Sequence, residues 1–138
     1  MTKIFLKLFP IYLTLLGAQI IFSYVNFTFL FSKLKLGDYH NPLFGDFSSW
    51  WKFTIAVWVF NAPVYVLGTV LVAWSVKLSL NNFGDMYTSV IIGQVIIVVV
   101  TLFFMWYRMG ELPSRNGCIA LILVFVASLF AANSGRQI

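Results

Sequence analysis

From Met86 to Tyr107 the chain runs without a charged residue. That is about 22 positions, enough as a helix rising 1.5 Å per residue to cross a hydrocarbon core of about 30 Å. The connector Arg108-Met-Gly-Glu-Leu-Pro-Ser-Arg-Asn-Gly117 follows, and then a second uncharged stretch from Cys118 to Gly135. Together they predict a transmembrane helical hairpin whose charged residues, Arg108, Glu111 and Arg115, gather in the turn. Pro113 suits the first turn of the second helix, where a missing N–H costs nothing, and Gly110 and Gly117 permit a tight backbone. Gly110, Glu111 and Pro113 are therefore read as structural turn residues.

The rest of the chain shares this character. Of 138 residues, 61% are hydrophobic and only 9% charged, against about 25% charged in ordinary globular domains. So few charges cannot clothe a water-facing surface. A bilayer demands such a composition, because lipid-facing side chains must be apolar and backbone polar groups must be satisfied inside helices. The expected fold is all-α: one polytopic transmembrane domain over 1–138, with four membrane helices at about 9–32, 53–76, 86–107 and 117–134. The basic start, Lys3 and Lys7, leads into an apolar run that continues to Phe31, longer than the core of a cleavable signal, so it is read as a retained first helix. The net charge of +5 is spread over several connectors, without the basic stripe that nucleic acid would need. Cys118 is the sole cysteine, which excludes an internal disulfide or a cysteine-bound metal cluster.

In the first span Tyr12, Gln19, Ser23 and Asn26 fall on one helical face. In the third, Tyr87, Gln94 and Thr101 recur at seven-residue spacing. Amide-bearing stripes are costly against lipid and should face other helices or a cavity. The second span contains Asn61 and Pro63, the latter expected to kink it, and Gly68 with Thr69 offers a small surface for close helix packing or a cavity wall. The connector 33–52 is longer than the others, with room for a short interfacial helix or re-entrant loop, and ends in Trp50-Trp51 beside Lys52, an anchor at headgroup level. His40 with Asp38 and Asp46 supplies one imidazole and two carboxylates, too little to specify a metal. Four spans place both termini on one side, with Lys3, Lys7, Lys77 and Arg136 there and Lys33, Lys35, Lys52, Arg108 and Arg115 opposite; this near balance does not orient the chain.

The segment from Gly93 through Trp106-Tyr-Arg-Met-Gly-Glu-Leu-Pro113 to Ser128 resembles the closing hairpin of the drug/metabolite transporter superfamily. There an aromatic-rich helix ends in a Gly-Glu-x-x turn and a final helix rich in Gly, Ala and Leu follows. The match lies mainly in residues 90–134. The size, four spans and charge balance are also similar to the small multidrug resistance branch. The resemblance implies a multi-pass protein of the bacterial inner (cell) membrane. One departure matters: those exporters use a glutamate embedded in the first helix, whereas its counterpart here is Gln19, and all four acids lie in connectors. Glutamine cannot change charge with pH, so it carries no proton through a cycle.

Two functions follow. The first is a transporter-like protein that moves or binds a neutral, amphiphilic or lipid-linked substrate, with Gln19, Asn26, Asn61 and Gln94 as hydrogen-bonding groups and Tyr12 and Tyr87 shaping an apolar cavity. The second is a non-catalytic accessory subunit of a larger membrane complex. The expected partners are the lipid bilayer and either further copies of the chain or other subunits. No catalytic residue, metal or cofactor is expected, because no span holds a histidine or a nucleophile–base pair.

Overall fold

In the computed structural model, residues 2–134 are described, and most of them are helical. The first helix, α1, is continuous over Thr2–Leu36 and contains a π-helical stretch at Asn26–Phe31. It does not stop at Ser32 as the following lysines suggest. Lys33 and Lys35 sit inside its last turn, and Gly37, with φ 66°, ends it in the left-handed conformation, its N–H closing on the Leu34 carbonyl at 3.2 Å. A lysine can carry its ammonium out to water from a continuing helix, whereas a left-handed residue terminates the ladder.

The connector that follows forms no helix between Gly37 and Ser49. It forms a small antiparallel pairing of β1 (His40–Asn41) with β2 (Gly45–Asp46), in register His40 with Asp46 and Asn41 with Gly45. The Asn41 side chain accepts the Leu43 N–H at 2.9 Å across the turn, and Gly45 takes φ 89°.

The expected second span, 53–76, is two helices. Helix α2 (Trp50–Phe60) opens on the paired tryptophans, and α3 (Ala62–Phe83) carries the length and apolarity of a crossing helix. Asn61 makes the break. Its backbone N–H and its side-chain amide both donate to the Val57 carbonyl, at 3.0 and 2.9 Å, while its own carbonyl accepts the N–H groups of Val64 and Tyr65. Pro63 thus falls in the first turn of a new helix, where no hydrogen bond is lost. It starts a helix rather than kinking one.

Helix α4 (Tyr87–Met109) follows after a turn at Gly84 and Asp85, its last residues, Met105–Met109, again π-helical. The Asp85 carboxylate caps its start, accepting the Thr88 N–H at 2.9 Å and the Thr88 hydroxyl at 3.0 Å. Helix α5 (Arg115–Ser134) is capped by Ser114, whose hydroxyl accepts the Gly117 N–H and whose carbonyl accepts that of Cys118. Pro113 therefore precedes the cap instead of occupying the first turn, and Gly117 lies within the helix, where a Cβ would meet Pro113 at 3.2 Å.

Three helices, α1, α3 and α4, are long and apolar enough to cross a membrane, and α5 contributes a shorter apolar stretch, Arg115–Ala127. Helix α1 is central. Helix α3 runs antiparallel to it, with Asn82 reaching the Lys7 carbonyl at 3.2 Å. Helix α4 runs parallel to it, with Arg108 reaching the Thr28 hydroxyl at 3.0 Å at the far end. Ile11, Leu15 and Phe27 of α1 and Ile92, Ile96, Val100 and Phe104 of α4 form the main apolar core. A second cluster, Leu30, Phe53 and Val57, seats α2 and the β pairing against the same end of α1. Helix α5 packs chiefly against α4. Large apolar side chains such as Val66, Val99 and Leu123 face outward, which is the surface a bilayer accepts and water does not.

Candidate functional site

The polar stripes on α1 and α4 meet. Gln19 and Gln94 line one cavity of about 210 Å³ between α1, α3 and α4, with Ser75 and Ser89 completing its polar wall and Leu15 and Ile96 among its apolar residues. The Gln19 amide donates to the Ser23 hydroxyl at 3.2 Å on its own helix and to Thr101 Oγ1 at 3.5 Å on α4. Both of its N–H bonds are thereby directed, and its carbonyl oxygen keeps its capacity to accept. Gln94, exposed at the cavity wall, makes no hydrogen bond among the described residues, so its whole amide is available. The two serine hydroxyls donate to backbone carbonyls of their own helices, Ser75 to Val72 at 2.7 Å and Ser89 to Met86 at 3.2 Å. Each retains lone pairs for a donor.

No charged residue lines this space. All four acids lie outside the long helices: Asp38 precedes β1, Asp46 lies in β2, Asp85 caps α4 and Glu111 follows Gly110. The cavity therefore offers amide and hydroxyl hydrogen bonds within an apolar wall. That chemistry fits an uncharged polar group attached to an apolar body, since an ion there would lack a partner for its charge.

The other residues expected at the site are placed elsewhere. Asn26 accepts a short hydrogen bond from the Tyr65 hydroxyl, and the buried Asn61 spends its amide on the α2–α3 break. Tyr12 and Tyr87 are about half exposed on the outside of the bundle. The turn residues have clear structural roles: Gly110 ends α4 with φ 66°, and Glu111 pairs with Lys35 of α1, not with the neighbouring arginines.

Sequence reading missed the stripe on α3. Asn61, Gly68 and Ser75 recur at seven-residue spacing, the same signal that marks Tyr12, Gln19 and Asn26 on α1 and Tyr87, Gln94 and Thr101 on α4, with Tyr65 and Ser79 on the same face. Asn61, Gly68, Ser75 and Ser79 are all buried. Tyr65 lies between Phe22 and Trp58, with ring centroids at 5.8 and 4.6 Å.

Elsewhere, His40 Nδ1 contacts the Asp46 carboxylate and Asp38 accepts the His40 backbone N–H. Among the described residues, no three His, Cys, Asp or Glu side chains gather as a metal site would require. Compared with family models, curated proteins and solved structures, the chain matches none.

Proposed function

We propose that this chain is a small four-span membrane protein of transporter-like architecture that binds, and as an oligomer moves, a neutral amphiphilic or lipid-linked molecule in the cavity between α1, α3 and α4. The observation that carries this reading is the convergence of Gln19 and Gln94 on one uncharged cavity. Helix α5 acts as the fourth span, tilted or shortened to suit its apolar stretch. Without a carboxyl group in any span, the cycle is not one of glutamate-borne proton exchange.

A second reading, an accessory subunit, is favoured by α5 itself. It rests on α4 alone among the major contacts and leaves Ile119, Ile122, Leu123 and Phe130 exposed, a surface that another chain can cover as well as lipid can.

Native mass spectrometry of the full chain, released in mild detergent from its own membrane, tests both. A co-purifying neutral small molecule, lost from Gln19→Leu and Gln94→Leu while both variants keep the wild-type helix content and melting transition, is the expected result. Retention of the molecule by both variants overturns the cavity as the site. Recovery in fixed ratio with unrelated chains, and with no small molecule, establishes the subunit reading.

A further inference from the structure

The outer seam of α4 and α5 holds a different kind of space. A groove of about 380 Å³ runs along it, with Val95, Val99 and Leu102 on one wall and Cys118, Ile122 and Phe125 on the other. No wall residue offers an amide, a hydroxyl or a charge, and Cys118 to Phe125 spans about 10 Å of helix. This is a slot for hydrocarbon.

Its mouth is where headgroups belong. Two sequences of the same kind, Trp50-Trp51-Lys52 and Trp106-Tyr107-Arg108, sit at this end of the bundle with their aromatic rings exposed. In both the cation lies over the adjacent ring, Lys52 at 5.5 Å from Trp51 and Arg108 at 5.7 Å from Tyr107. Aromatic residues paired with basic ones mark the membrane–water boundary. Trp106 stands one turn beyond Leu102 on the α4 wall, and Arg115 one turn before Cys118 on the α5 wall. The other cations of this end are engaged: Lys33 pairs with Asp38, Lys35 with Glu111, and Arg108 donates to Thr28. Arg115 has no acidic partner among the described residues.

We infer that this groove binds an anionic phospholipid of the leaflet at the Trp106 end, one acyl chain lying along the α4–α5 seam and the phosphate-bearing headgroup meeting Arg115. A second copy of the chain is a poorer occupant, because a parallel neighbour brings its own Arg115 and Arg108 to the same level. The site is separate from the Gln19–Gln94 cavity, which lies on the opposite side of α4 and carries no charge.

The test uses the full chain in nanodiscs containing phosphatidylcholine and phosphatidylglycerol in equal amounts, followed by native mass spectrometry of the lipid retained on release. Wild type retains phosphatidylglycerol over phosphatidylcholine about fivefold, the preference one basic side chain gives near an anionic headgroup. Arg115→Gln brings the ratio to parity and Arg115→Lys keeps it. Ile122→Trp, a change at an exposed position that fills the slot, removes the retained lipid with helix content unchanged. Equal retention of the two lipids by wild type, or an undiminished preference in Arg115→Gln, overturns the proposal. So does an Ile122→Trp variant that keeps its lipid but loses a dimeric mass, which makes the groove a contact between copies.

Discussion

A Cβ placed on Gly68 of α3 lies 2.6 Å from Cε1 and 2.7 Å from Cζ of Phe22 on α1. The close-packing role of Gly68 follows from that distance, which no side chain fits without moving the ring. The Phe22 ring also stacks on Tyr65, with centroids 5.8 Å apart, so a ring that moves aside disturbs that contact. Gly68→Ala is expected to destabilise the α1–α3 contact by about 1–3 kcal/mol, the usual range for overpacking. Unfolding in a denaturing detergent, followed by helix content, measures it. Because the clash is with one ring, Phe22→Leu should relieve it: the double variant should lose less stability than the sum of the two single ones.

Tyr65→Phe removes the hydroxyl that reaches Asn26 at the start of the π-helical stretch of α1. Both side chains are half-buried, and the Asn26 oxygen is left with no replacement donor among the described residues. The expected cost is about 0.5–1.5 kcal/mol by the same unfolding measurement. Stacking between Phe22 and Trp58 survives the change, so a loss well beyond this range means that the ring itself has shifted.

The long apolar helices were legible as largely charge-free runs, but charges were poor guides to where helices end. The three closing positions are Gly37, Gly84 and Gly110, each with φ between 66° and 74°. Lys33, Lys35 and Lys77 all lie inside helices, as long side chains with water in reach are free to do. Glycine after an apolar run was the better signal. The cavity was half legible: seven-residue spacing pointed to Gln19 and Gln94, yet spacing places residues on a face without saying how far along the bundle that face stays enclosed. Tyr12 and Tyr87 continue the stripes toward the bundle end and emerge outside. The π-helical stretches at Asn26–Phe31 and Met105–Met109, which lie beside each other with Phe27 stacked at 6.2 Å on Phe104 just before the second, leave no mark in the residue pattern.

Glu111→Gln breaks the pair with Lys35 that ties the α4–α5 turn to the end of α1. Both side chains are nearly half exposed, at 47% and 43%, so the pair is screened and contributes about 0–1 kcal/mol. Lys35 also keeps its bond to the Met109 carbonyl at 3.3 Å. The variant should unfold slightly more easily than wild type at low salt, with the difference vanishing in high salt. Ligand retention in the Gln19–Gln94 cavity should not change, since no cavity residue touches this turn. A loss of ligand with stability intact would assign the turn a part in binding.

Acid should release the Asp38 contacts beside the β pairing only below the usual carboxylate range. The Lys33 ammonium, 3.0 Å from Asp38, and then the His40 backbone N–H, 3.2 Å from it, hold the Asp38 carboxyl below its usual value near 3.8. In the unfolded chain Asp38 takes up its proton near that value, and in the folded chain only at lower pH. Its contribution to stability is thus fully present above pH 3.8 and disappears as pH falls through the folded value. The His40 amide, bonded to the carboxylate, reports the change. The midpoint of its NMR shift in micelles should lie below about 3.8. Asp38→Asn, which keeps an acceptor oxygen without the charge, should flatten this transition. A midpoint for wild type at or above 3.8 would show that Lys33 is not held against Asp38 in solution.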